Sequence, residues 1–243
     1  MTVIMFSAVD ANKCLAKDLT LNKLEKIFRS KNLGKRKILK LKRFIQKNKK
    51  RSVPVLIRVM KSSEYPERNR WMATFWLGKS MGKQASPFLS KFVKHPNWLL
   101  RVASLKVLLA LREKKYGSLY GKLLKDPSLI VRTQALENIR QLKLHSEASK
   151  VWRMLYDRRN YYVSKKKTKR GNIIKDIIRV VGDLNFQKAK KPLLKMILKE
   201  RYTDIFSDIE YSLRRITGKV PPKGNRTVKK IYWQRLAISE TTI

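Results

Sequence analysis

Residues 126–143 read DPSLIVRTQALENIRQLK, residues 95–112 read HPNWLLRVASLKVLLALR, and residues 64–81 read EYPERNRWMATFWLGKSM. Set one above another, the three segments repeat at a period of 31 residues. Arg70, Arg101 and Arg132 fall in register. So do the small residues Ala73, Ser104 and Ala135, and the aliphatic residues Leu77, Leu108 and Ile139. An i, i+3, i+7 spacing puts each such trio on one helix face. A shorter apolar run follows every segment: Pro87, Phe88 and Leu89; Leu119, Leu123 and Leu124; Val151, Trp152 and Leu155. Each repeat thus reads as two antiparallel helices. One such pair cannot bury its own apolar face, so neighbours must stack.

The pattern continues outward. Ser52, Val53, Pro54, Val55 and Leu56 match Ala85, Ser86, Pro87, Phe88 and Leu89, which marks a degenerate repeat at 35–61. Residues 174–184, followed by Ala189, Pro192, Leu193 and Leu194, form another, and 203–218 opens a last one. From Arg132 to its match at Ile174 the spacing slips from 31 to 42. The extra residues fall at 159–171 (RNYYVSKKKTKRG), read as a loop or a helix extension grafted onto the array. The expected fold is all-α: an α-solenoid of about five to six stacked antiparallel helix pairs. Residues 1–17 form an N-terminal arm or a truncated export signal. Residues 18–63 form basic helices with a capping repeat, 64–218 the repeats, and 219–243 a basic C-terminal cap.

The stretches RWMATFWLG at 70–78 and DPSLIVRTQAL at 126–136 resemble the first-helix signature of HEAT repeats, in particular the compact bacterial HEAT-like kind. The resemblance implies a structural ladder between an acid and the arginine six residues later. Glu64 with Arg70 and Asp126 with Arg132 keep that spacing. Arg101 has His95 in the acid's place. The Thr217–Gly218 ending and the later Trp233 are similar to the way such arrays close. Because HEAT arrays commonly grip partner helices, the resemblance also implies a protein-interaction scaffold as an alternative function. A smaller alternative is a HEAT-like DNA glycosylase, for which Trp152, Asp157 and Asp176 are the residues to compare. Trp152 and Asp157 stand five apart, on different helix faces.

The 243 residues hold 59 Lys and Arg against 17 Asp and Glu, a formal charge of +42. A hydrophobic fraction of 43% excludes a disordered basic tail. Such a charge calls for a polyanion to neutralise it. Residues 26–63 contain fifteen bases and no acid, residues 158–175 eight and none, and residues 211–239 eight more and none. Over 35–50 the bases lie on an amphipathic helix opposite Ile38, Leu41 and Ile45. The candidate phosphate contacts are Lys35, Arg36, Lys37, Lys40, Arg43 and Lys47 there, and Arg159, Lys165, Lys166, Lys167, Lys169 and Arg170 in the insertion. Tyr161 and Tyr162 sit among the latter as candidate base-stacking residues, and Tyr232 and Trp233 follow Lys229 and Lys230. Trp76, Trp98 and Trp152 read as core. The expected function is a non-catalytic scaffold for a polyanion, DNA or RNA first and an acidic protein or anionic surface polymer second.

No phosphate-binding glycine loop, nucleophile elbow or metalloprotease motif is present, so neither an enzyme nor a cofactor is expected. Cys14 is the one cysteine. His95 and His145 stand fifty residues apart, which gives no metal-ligand spacing. Residues 2–9 (TVIMFSAV), with Ala8, Ala11 and Ala16, are similar to the end of a secretory signal but lack its basic start. Export and a cytoplasmic location both stay open. No apolar run reaches transmembrane length.

Overall fold

The aligned positions of the three repeats are core positions. In a computed structural model, which describes residues 21–163, 168–170 and 172–239, Ala73, Ser104, Ala135, Leu77, Leu108 and Ile139 are all completely buried. The N-terminal arm and Cys14 lie outside the described residues. The chain divides into two compact units, Met1–Glu113 and Lys114–Ile243. The division falls within the stretch 64–218.

The first unit contains α1 (residues 21–29), α2 (Lys35–Lys47), α3 (Lys49–Lys61), α4 (Glu67–Met81), α5 (Ser86–Phe92) and α6 (Trp98–Ala110). α4 packs between α3 and α6, and α5 lies against α6. Gly78 sets the distance between α4 and α6: a Cβ there would stand 2.3 Å from Val107 Cγ1. Leu24, Phe28, Leu41, Ile45, Leu56 and Met60 fill the core around α1–α3. Buried Asn69 ties α4 to the end of α1, with Nδ2 donating to the Phe28 and Ser30 carbonyls at 2.7 and 2.9 Å.

The second unit contains α7 (Gly117–Leu123), α8 (Leu129–Gln141), α9 (Ala148–Arg153), α10 (Asn172–Asp183), α11 (Lys190–Ile197), α12 (Phe206–Thr217) and α13 (Arg226–Ser239). The long helices α8, α10 and α12 pack in sequence, with α9 against α10 and α11 against α12 and α13. α10 and α12 meet so closely that a Cβ on Gly182 would stand 2.6 Å from Ser212 Cα. Trp233 on α13 is completely buried and meets Tyr232 edge-on. It is a packing residue and not a stacking platform.

The insertion is neither an open loop nor a helix extension. A 3-10 turn at Arg158–Asn160 leads into β1 (Tyr161–Val163), which pairs antiparallel with β2 (Thr168–Arg170), Tyr161 opposite Arg170. Asp157 caps that turn by accepting from the Arg159 backbone N–H at 3.0 Å. The Tyr-Tyr-Val run that follows favours extended backbone. Apart from this ribbon the described fold is all-helical.

Three of the long helices stop in the same way. Arg112, Lys143 and Asn185, just past α6, α8 and α10, are left-handed, with φ of 57°, 53° and 50°. The next N–H reaches back each time at 3.1 Å: Glu113 to Leu108, Leu144 to Ile139 and Phe186 to Val181. This is the Schellman pattern, which satisfies helix-end carbonyls. The caps recur after 31 and then 42 residues, the same slip that the sequence shows.

Candidate polyanion interface

Residues 35–50 form two helices where the sequence reads one. Asn48 leaves helical geometry at φ −118° and ψ 41°, and its Nδ2 donates to the Phe44 carbonyl at 3.0 Å. α2 buries Leu41 and Ile45 and exposes Lys35, Arg36, Lys37, Lys40, Arg43 and Lys47. None of these six cations has an ion pair among the described residues. Lys37 donates to the Ser30 hydroxyl at 3.3 Å. The apolar stripe therefore holds α2 down while its other faces present charge alone. Behind its C-terminal end, Ile45, Gln46, Lys49, Trp76, Lys79 and Ser80 line a cavity of about 240 Å³, with Lys79 Nζ 5.2 Å from the Trp76 ring centre. Trp76 is half-buried there. Trp98 is not core: it is 42% exposed, because it opens α6 ahead of the buried run that begins at Leu100.

In the second unit the shorter helices border two cavities, one on each side of α9. Between α7 and α9 lies a space of about 460 Å³ with Gly121, Leu124 and Met154 among its lining. Lys122, Lys125, Lys150, Arg153 and Arg159 surround it, with Asp157 as the one acid among the described lining residues. Lys150 is paired with buried Glu147 at 2.7 Å. Gly121 makes room for that carboxylate, since a Cβ would collide with Glu147 Oε2. Arg159 is paired with Asp157 at 2.6 Å. Its guanidinium hydrogen bonds hold the Asp157 carboxyl below the usual carboxylate range. Lys122, Lys125 and Arg153 are exposed and have no ion pair among the described residues.

On the other side of α9, a cavity of about 260 Å³ is aromatic. Trp152, Tyr156, Tyr161 and Tyr202 line it together with Leu155, Ile174, Ile178, Pro192, Met196 and Ile205. Trp152 is half-buried on this wall. Tyr161 is fixed by donating its hydroxyl to the Leu155 carbonyl at 2.6 Å. Tyr156 is 73% exposed at the margin. The guanidinium of Arg201 lies 4.8 Å from the Tyr202 ring centre. Helical phase separates the two linings: Lys150, Arg153, Met154 and Asp157 on one, Trp152, Leu155 and Tyr156 on the other.

Of the insertion's candidates, the structure brings Arg159 to the first cavity and Tyr161 to the second. Lys165, Lys166 and Lys167 lie outside the described residues. Tyr162, Lys169 and Arg170 contribute backbone to the ribbon, and their side chains also lie outside the description. Sequence reading missed Lys122, Lys125, Arg153, Tyr156 and Tyr202. A signal existed for the cations: Lys91, Lys122 and Arg153 fall in the 31-residue register, and so do Lys94 and Lys125.

The arginines of the ladder are buried, and each donates to backbone carbonyls. Arg132 NH1 donates to the Asp126 and Pro127 carbonyls, Nε to Asn160 Oδ1 at 2.8 Å, and NH2 to the Arg159 carbonyl at 3.0 Å. Arg101 NH1 donates to the His95 and Pro96 carbonyls. Arg70 donates through Nε and NH2 to the Met60 carbonyl, both at 3.1 Å. Glu64 does not reach Arg70; it is exposed and paired with Arg29 at 3.2 Å. Asp126 uses Oδ1 to accept from the Ser128 N–H at 2.8 Å, at the start of α8. Arginine serves here because its forked donors span successive carbonyls.

His95 has Arg70 NH2 at 3.3 Å from Nε2 and the Asn97 N–H at 3.0 Å from Nδ1. Burial and then Arg70 push its pKa down. His145 Nδ1 donates to the Leu184 carbonyl at 2.9 Å, a partner that the sequence does not reveal. The basic C-terminal segment is partly answered in space: Lys229 pairs with Glu210 at 3.1 Å, and Arg226 and Lys230 pair with Glu200. On α8, α10 and α12, Glu137 pairs with Arg140, Asp208 with Arg179, and Asp183 with Arg215. Asp176 stands among them; loss of surrounding water and then Glu137 raise its pKa.

Among the described residues no three His, Cys, Asp or Glu gather as a metal site, and no helix is long and apolar enough to cross a membrane. No family model matches the chain, and comparison with curated proteins finds no similar sequence.

Proposed function

We propose that this chain is a HEAT-like α-solenoid that binds a polyanion without catalysis, nucleic acid first, through phosphate contacts. The observation that carries the reading is the α2 face. Six exposed cations stand together with no carboxylate answering them among the described residues, although elsewhere acids are brought across long sequence separations to basic segments. Like charges left this way repel one another and stabilise the fold only when an external anion neutralises them. The unpaired Lys122, Lys125 and Arg153 around the larger cavity support the same reading. The recurring helix caps support the repeat architecture. In this reading Asp157 is a structural cap, fixed between a backbone N–H and a guanidinium, and takes no part in chemistry on a base.

Salt titration of binding to duplex DNA and to single-stranded RNA tests the proposal. Log affinity falls linearly with log salt, and six phosphate contacts from α2 give a slope of about −5 on duplex DNA. Reversing Lys40, Arg43 and Lys47 to Glu together reduces the magnitude of that slope by about three. No binding at low salt, or a slope near zero, overturns the reading.

A further inference from the structure

We infer that the aromatic cavity beside α9 takes an unstacked base of a single-stranded nucleic acid. The inference rests on the polyanion reading and names the ligand of one part of that surface. The cavity, at about 260 Å³, is smaller than the roughly 300–1,000 Å³ that encloses a whole small ligand, so it suits one planar group of a longer chain. Ile174, Ile178 and Ile205 are buried behind it, while Trp152, Tyr161 and Tyr202 are only partly covered. Tyr161 is already immobilised by its bond to the Leu155 carbonyl, so its ring is held in place before any ligand arrives. Tyr156, 73% exposed, is available to close over an inserted ring.

Charge selects the occupant. Arg201 stacks on Tyr202 at one margin. Arg153, next to Trp152 in the chain, turns to the cation-lined cavity on the other side of α9. An aromatic slot with Arg201 at its margin complements a base and its neighbouring phosphate, and aromatic stacking accepts any base. A duplex keeps its bases stacked inside and presents none to the slot.

The test compares oligothymidylate, an abasic strand of equal length and a duplex, each at the same salt. The abasic strand retains every phosphate and lacks the base. The wild-type protein is expected to bind oligothymidylate about 5- to 150-fold more tightly than the abasic strand. Tyr156→Ala is expected to remove most of that difference and leave duplex binding unchanged, and Tyr156→Phe to retain it. Equal affinity of the wild type for the oligothymidylate and abasic strands overturns the inference while the polyanion reading stands. Failure to bind any of the three overturns both. The wild-type comparison is decisive by itself if a variant does not fold.

Discussion

Residues 1–113 hold 27 Lys and Arg against 6 acids, and residues 114–243 hold 32 against 11, so each unit carries a net +21. The two distribute that charge differently. In the first, Glu25 gathers Arg29, Arg58 and the Tyr65 hydroxyl at one point, and the α2 cations meet no carboxylate among the described residues. In the second, acids are woven through α8, α10 and α12 and set against α13, while the α7–α9 side keeps exposed cations. Net charge therefore does not measure a ligand surface. What counts is which cations remain unpaired once the fold has used its acids.

The largest contrast is expected from removing a buried cation that has become structural. Arg132→Met leaves the Asp126, Pro127 and Arg159 carbonyls and Asn160 without their donor and should cost about 3–4 kcal/mol in urea unfolding. Arg70→Met strips one carbonyl and His95 and should cost about 1–2 kcal/mol. Equal costs would mean that the two arginines do the same structural work.

Alkaline titration should act on Tyr65 in the first unit. Burial and then the Glu25 hydrogen bond push the Tyr65 hydroxyl up to about 12. A raised folded pKa gives stability that is complete below the ordinary value near 10 and is lost as pH climbs toward 12. Tyr65→Phe should flatten stability across that window. On the acid side His95 has the opposite sign. Its depressed pKa makes stability complete above about 6.5 and lost as pH falls below it, a dependence that His95→Gln should abolish.

Salt should act unequally. Between low and high salt, hydrogen exchange in α2 and α3 should slow by the equivalent of about 1 kcal/mol, because screening relieves like-charge repulsion. The α8–α10–α12 face, already paired, should change by less or in the opposite direction. Uniform slowing across both units would break the distinction between them. The smallest effect is a gain: Lys143→Gly removes a left-handed side-chain conformation and should raise stability by about 1 kcal/mol. Asn185→Gly should gain less, because asparagine tolerates that region.

These contrasts also mark what the sequence disclosed. The 31-residue register located the helices, their buried faces and the slip to 42, because packing and capping repeat with it. The break at Asn48 was hidden because α2 and α3 both carry helical periodicity across it. The ribbon of β1 and β2 was hidden because three-residue strands have too little alternation to read. A charge run does not disclose pairing: the α2 bases meet no carboxylate among the described residues, whereas Lys230 on α13 meets Glu200, thirty residues away. The larger cavity was missed although Lys122 and Arg153 share the repeat register, because one residue per repeat makes no run.

The two linings divided by α9 make the composition of each cavity a question of phase. A helix advances 100° per residue, so a single insertion before Lys150 would rotate Arg153 and Met154 away from their cavity and swing Trp152 toward it. Length changes in this short segment should therefore be far less tolerated than substitutions, and a deletion scan should find its sharpest boundary at six otherwise unremarkable residues.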